Sequence, residues 1–97
     1  MLKIWKKLYG SKQRRSKWGY LIIEYHNKMA LAAAKKGDCE LALENYIESL
    51  EIAKEIYEKD HIVILDLYQS LANVYTNLGD HTQAQKYIQD RNAILEE

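Results

Sequence analysis

An all-α fold, with two helical hairpins forming a short α-solenoid behind a basic N-terminal arm or short helix, is predicted by three features of the 97-residue sequence. From Trp18 onward, apolar residues recur every three to four positions, the period of helices that bury one face. The sequence has no Pro and only four Gly, too few of the residues that a many-turned β fold requires. Sliding the chain against itself by 42 residues aligns Ala30 with Ala72, Gly37 with Gly79, Asp38 with Asp80, Ala42 with Ala84 and Ile52 with Ile94. Small residues then recur where helices must approach closely, which is packing logic and marks a repeated hairpin.

The first element is an arm, residues 1–17. It holds Lys3, Lys6, Lys7, Lys12, Arg14, Arg15 and Lys17 and no acid, whereas residues 18–97 hold seven Lys or Arg against fourteen Asp or Glu. The zero net charge therefore hides a +7 arm on a −7 body, a property that bears on partners and encounter rates and not on fold. Met1, Ile4, Trp5 and Leu8 recur at helical spacing before Gly10 and Ser11 interrupt them, so one short amphipathic helix is expected there.

The body, residues 18–97, divides into repeat one at about 20–59 and repeat two at about 60–97. Its first helix is expected to bury Trp18, Ile22, Tyr25, Met29 and Ala33, and its second Ala42, Tyr46, Ser49, Leu50, Ala53 and Tyr57. The third carries Ile64, Leu67, Tyr68, Leu71, Val74, Tyr75 and Leu78, and the fourth a weaker stripe of Ala84, Tyr87, Ile88 and Leu95. Turns fall at Lys36-Gly37-Asp38, Lys59-Asp60-His61 and Leu78-Gly79-Asp80. In the first and last, Gly accepts the left-handed backbone that ends a helix, and Asp offers an oxygen to the free amides that start the next. Asp80 and Gln83 also have capping-box spacing.

A chain this short supports one core, which excludes a multidomain enzyme. The lone Cys39 cannot form an internal disulfide and points to a reducing, cytoplasmic setting. The longest apolar runs, Leu21 to Ile23 and Ile62 to Leu65, are far too short to span a membrane. His61 and His81 are expected at opposite ends of the bundle, and Cys39 and His81 lack further ligands at zinc-site spacing, so no metal, cofactor or catalytic constellation is expected.

At the turn and small-residue positions the chain resembles the tetratricopeptide repeat family. The second unit carries the pattern as Tyr68-x-x-Leu71-Ala72-x-x-Tyr75-x-x-x-Gly79-Asp80-x-x-x-Ala84-x-x-x-Ile88. The first reads His26-x-x-Met29-Ala30-x-x-Ala33-x-x-x-Gly37-Asp38-x-x-x-Ala42-x-x-x-Tyr46, with Ala33 where Tyr is usual and His26 where a larger apolar residue is usual. The 42-residue period resembles the longer-helix variant of kinesin light chains and related adaptors, with Ile62 where that variant usually has Pro.

The resemblance implies a non-enzymatic scaffold or adaptor that binds a peptide segment of a protein partner in a concave groove. The groove positions it implies are Glu24, Asn27, Lys28 and Leu31 in the first unit, and Asp66, Gln69, Ser70, Asn73 and Asn77 in the second. Asn73 and Asn77 lie four apart on one helical face, where amides can grip an extended backbone. The Lys and Asn pattern by which some members clamp a terminal carboxylate is not matched, since those places hold Glu24, Lys28 and Ser70.

Two repeats leave solenoid faces uncovered. Ile88, Ile94 and Leu95 at the last helix are the expected self-association face, with a homodimer preferred over packing by Met1 to Tyr9 or a longer array. The alternative function is an arm-driven tether, in which residues 1–17 bind an anionic membrane surface or nucleic acid and the repeats only dimerise.

Overall fold

The computed structural model describes the backbone of residues 12–96 and the side chains of residues 18–96. The expected helix around Met1 to Leu8, together with Lys3, Lys6 and Lys7, lies outside the described residues. Lys12, Arg14, Arg15 and Lys17 lie on described helical backbone, and their side chains do not.

Four helices follow one another: α1 Lys12–Lys35, α2 Cys39–Ile56, α3 Ile62–Asn77 and α4 His81–Leu95. No strand occurs among the described residues. Helix α1 packs on α2, α2 on α3 and α3 on α4, so α2 and α3 are each sandwiched between two helices and the two hairpins share one core. The fold is an all-α helical repeat.

The two Gly-Asp turns are built alike. Gly37 and Gly79 adopt φ of +85° and +82°, the left-handed region that a Cβ penalises. In each, the following Asp amide reaches back to the carbonyl five residues earlier (Asp38 N to Ala33 O and Asp80 N to Tyr75 O, both 2.9 Å), while the Gly amide donates to Ala34 O or Thr76 O. This paired pattern is a Schellman motif. Asp38 and Asp80 then cap the next helix, their Oδ1 atoms accepting from Leu41 N and Gln83 N at 3.2 Å. One residue thus closes one helix and opens the next. Because the Asp80 amide N–H already donates to Tyr75 O, it does not donate to the Gln83 side chain, and only half of the expected capping box forms.

The middle turn is solved differently. His61 is the N-cap of α3, its Nδ1 accepting from Val63 N at 3.1 Å, and its ring stacks on Tyr57 with centroids 4.0 Å apart.

The core gathers Ile23, Ala30 and Ala33 from α1, Ala42, Tyr46, Leu50, Ile52 and Ala53 from α2, and Ile64, Leu67, Tyr68, Leu71 and Val74 from α3. Here the expected stripe of α1 needs correction. Trp18, Tyr25 and Met29 are 41, 55 and 41% exposed, and the face turned to α2 is instead Ile23, His26, Ala30 and Ala33. The small Ala residues let α2 approach closely, while Tyr25 and Met29 sit on a flanking face that stays exposed.

His26 fills the place of the larger apolar residue with a polar clamp. It is buried, with Nδ1 2.8 Å from Asn45 Oδ1 and Nε2 3.0 Å from Glu48 Oε2. Asn45 Nδ2 donates to Leu41 O, which orients the amide oxygen toward the ring. Buried Ser49 adds a further tie between α1 and α2, donating to Ile23 O at 3.4 Å.

Candidate protein-binding groove

With α2 and the α1 apolar face accounted for, the remaining side of α1 carries Tyr20, Glu24, Asn27, Lys28 and Leu31. These residues, with Ile23, Tyr57 and Val63, line a groove of about 310 Å³ between α1 and the start of α3. Four predicted residues, Glu24, Asn27, Lys28 and Leu31, are therefore brought into one site. The other five lie on α3: Asp66, Gln69, Asn73 and Asn77 are exposed, and Ser70 is half-buried. They extend a polar surface along α3 and do not line the groove itself.

The wall formed by Tyr57 is fixed from both sides of the middle turn. Its ring stacks on His61, and His61 in turn holds the amide of Val63, the next lining residue. Burial pushes the Tyr57 hydroxyl above its ordinary range, and the neighbouring Tyr20 adds to the shift. The floor and walls are thus mostly apolar, with Tyr20, Ile23, Leu31, Tyr57 and Val63.

Three polar groups sit in this setting. Glu24 and Lys28 form an i,i+4 pair at 3.8 Å, with side chains 46 and 78% exposed, a geometry that contributes little by itself and leaves both charges accessible. The Asn27 Oδ1 is buried without a hydrogen-bond partner among the described residues. An unsatisfied buried carbonyl oxygen costs free energy, and the amide of Asn27 can turn about its soft terminal torsion to meet a donor entering the groove. On α3, Gln69 Nε2 donates to Asn73 Oδ1 at 3.0 Å. That contact occupies the oxygen of Asn73 and leaves its amide hydrogens to face a ligand.

Sequence reasoning missed Tyr20, Tyr57 and Val63. Tyr57 reads as a core aromatic and Tyr20 falls on no expected stripe, and only the folding back of α3 against α1 brings Val63 to the same space. An open surface on α4, lined by His81, Thr82, Gln85, Lys86 and Gln89, is formed by one helix face alone and is polar.

A family comparison covers these helices and turns: residues 21–97 fit the model of the tetratricopeptide repeat. The chain belongs to the tetratricopeptide repeat family. No similar curated protein and no similar solved structure was found. Tetratricopeptide repeats are in general non-catalytic and mediate contacts between proteins, so protein partners are what the family implies for this chain.

Of the three residues expected to mediate self-association, Ile94 packs against the core, Ile88 is half-buried and Leu95 is 55% exposed. Tyr87 of α4 lies beside Tyr68 and stacks on Tyr75, with centroids 6.0 and 5.8 Å apart. Burial first, then Tyr75, Asp90 and Tyr68, raise its hydroxyl above the ordinary value. Cys39 is a half-buried free thiol at the start of α2. Among the described residues no three His, Cys, Asp or Glu side chains are grouped to hold a metal ion, and no helix is long and apolar enough to cross a membrane.

Proposed function

We propose that this tetratricopeptide-repeat chain is a cytoplasmic scaffold or adaptor whose groove between α1 and α3 binds an extended peptide segment of a partner protein. The observation that supports this most is the groove lined by Tyr20, Asn27, Leu31, Tyr57 and Val63. It offers an apolar volume large enough for one or two side chains, beside an amide oxygen without a partner. A peptide laid across it would insert an apolar side chain between Leu31 and Tyr57 and donate a backbone N–H to Asn27. Glu24 and Lys28 would select charged neighbours, and Asn73 and Asn77 would hold the peptide backbone further along. Apolar burial supplies affinity and the polar groups fix orientation, the division of labour usual in small concave sites.

The recurrence of the Gly-Asp turn at 42 residues supports placing the chain with the longer-helix variant of the repeat, as in kinesin light chain-like adaptors.

Selection of peptides from a random displayed library tests the reading. Peptides enriched on the intact chain should share an apolar anchor, and Asn27→Ala with Leu31→Ala should weaken them by about tenfold or more. Enriched peptides that bind this double variant as tightly as the parent would refute the groove.

A further inference from the structure

The large side chains that α1 turns away from α2 have counterparts in the second repeat. At the 42-residue shift, Tyr25, Met29 and Ala32 correspond to Leu67, Leu71 and Val74. In α3 those three are 2, 0 and 3% exposed, within the core cluster that includes Tyr46 and Leu50 of α2. In α1 the same positions are open: Leu21, Tyr25 and Met29 are 48, 55 and 41% exposed and fall on one face at i, i+4 and i+8, with exposed Ala32 continuing it. The structure thus contains its own template for what covers this surface, a helix laid along it as α2 lies along α3.

Charge narrows the occupant. Within Lys12–Lys35, six bases stand against the single acid Glu24. The template helix α2 has the opposite character, with Glu40, Glu44, Glu48, Glu51 and Glu55 against Lys54. Residues 1–11 hold Lys3, Lys6 and Lys7 and no acid, so they lack the charge of such a helix. A second copy docking through its own α1 would set basic helix on basic helix. Docking through α4 would offer Gln85, Ile88, Gln89 and Asn92 where α2 presents Leu43, Tyr46, Ile47 and Leu50, and three of those four are exposed polar residues.

We propose that the face of α1 formed by Leu21, Tyr25 and Met29 docks an acidic amphipathic helix of a partner protein, laid along α1 as α2 is laid along α3. This surface is separate from the groove of Glu24, Asn27 and Lys28, so the scaffold holds two protein segments at once. The docked helix presents apolar residues at i, i+3, i+4 and i+7 to the Leu21, Tyr25 and Met29 face, and its acidic flanks meet the bases of α1.

A labelled synthetic peptide copying residues 38–57 of this chain, the helix that covers the equivalent face of α3, is the probe. Added to the full chain at near-physiological salt, it should bind saturably. The double variant Tyr25→Ser with Met29→Ser, at exposed positions that leave the fold intact by circular dichroism, should weaken binding by about tenfold or more. Asn73→Ala with Asn77→Ala should leave it unchanged, and added salt should weaken it. Absence of saturable binding, or equal binding by the Tyr25/Met29 variant, overturns the proposal. So does a dimer by light scattering that the variant abolishes, which assigns the face to a second copy. Binding to phosphatidylserine-containing vesicles in place of the peptide, lost in the variant, assigns it to a lipid surface and overturns the proposal equally.

Discussion

The clamp of His26 on Glu48 and Asn45 supports a quantitative prediction, because it sets the rotation of α1 and hence where Asn27 and Lys28 point. The ring is 4% exposed and lies 3.0 Å from a carboxylate that is 32% exposed. A buried hydrogen bond to a charged group contributes about 1.5–3 kcal/mol, and an exposed polar pair about 0.2–1 kcal/mol. With one end buried and the other a third open to solvent, the coupling should fall between these, at about 1–2 kcal/mol. A double-mutant cycle of His26→Leu and Glu48→Ala, read by urea unfolding followed by far-ultraviolet circular dichroism, measures it. Leu approximates the volume of His, so the cycle isolates the polar contact from a cavity effect. For a domain of this size about 1 kcal/mol corresponds to a melting-temperature shift of about 4–8 °C. A coupling below about 0.3 kcal/mol, or a His26→Leu chain more stable than the parent, would refute the clamp as the element that orients α1.

Further outcomes follow from the turns, the core and the tyrosines. Gly37→Ala and Gly79→Ala should each destabilise by about 1–2 kcal/mol in thermal or urea unfolding, because a Cβ meets no atom within 4 Å at either site and the cost is the left-handed backbone alone. Ile52→Ala, at 1% exposure, should cost about 2–5 kcal/mol, against less than about 0.5 kcal/mol for Ile62→Ala at 62% exposure; similar losses at both would contradict the core as described. Burial disfavours the phenolates of Tyr57 and Tyr87, so the folded chain holds these protons more tightly than the unfolded chain. Their contribution is intact below the ordinary value of 10.0 and is lost as pH rises through the raised values. The melting temperature should therefore fall above pH 10.0, and less steeply in Tyr87→Phe; identical slopes would remove Tyr87 from the account.

The local chemistry of the Gly-Asp turns was legible because the left-handed Gly and the capping Asp are read from adjacent residues, and the structure shows both roles at Gly37-Asp38 and Gly79-Asp80. The family and the four-helix order followed from their recurrence. The orientation of α1 was not legible, because apolar residues fall on more than one of its faces and periodicity alone cannot choose between the stripe of Trp18, Tyr25 and Met29 and that of Ile23, His26, Ala30 and Ala33. The second depends on close approach of α2 at Ala30 and Ala33, a tertiary effect. His61 as a cap was missed because imidazole is an uncommon N-cap, with Ser, Thr, Asp and Asn the usual signals. In the groove, the positions on α1 were named from the repeat pattern, whereas Tyr57 and Val63 enter only through the stacking on His61 that brings the turn inward.

The central claim, that the groove and the α3 surface beside it form the functional site, is met most directly by affinity capture from nuclease-treated native extract. The intact chain is compared with the Lys28→Ala, Asn73→Ala, Asn77→Ala triple variant at matched, near-physiological salt, the mass of each first fixed by light scattering. The account predicts a protein partner held by the intact chain and lost by the variant with no change in oligomeric mass. The same partner retained equally by both would contradict it.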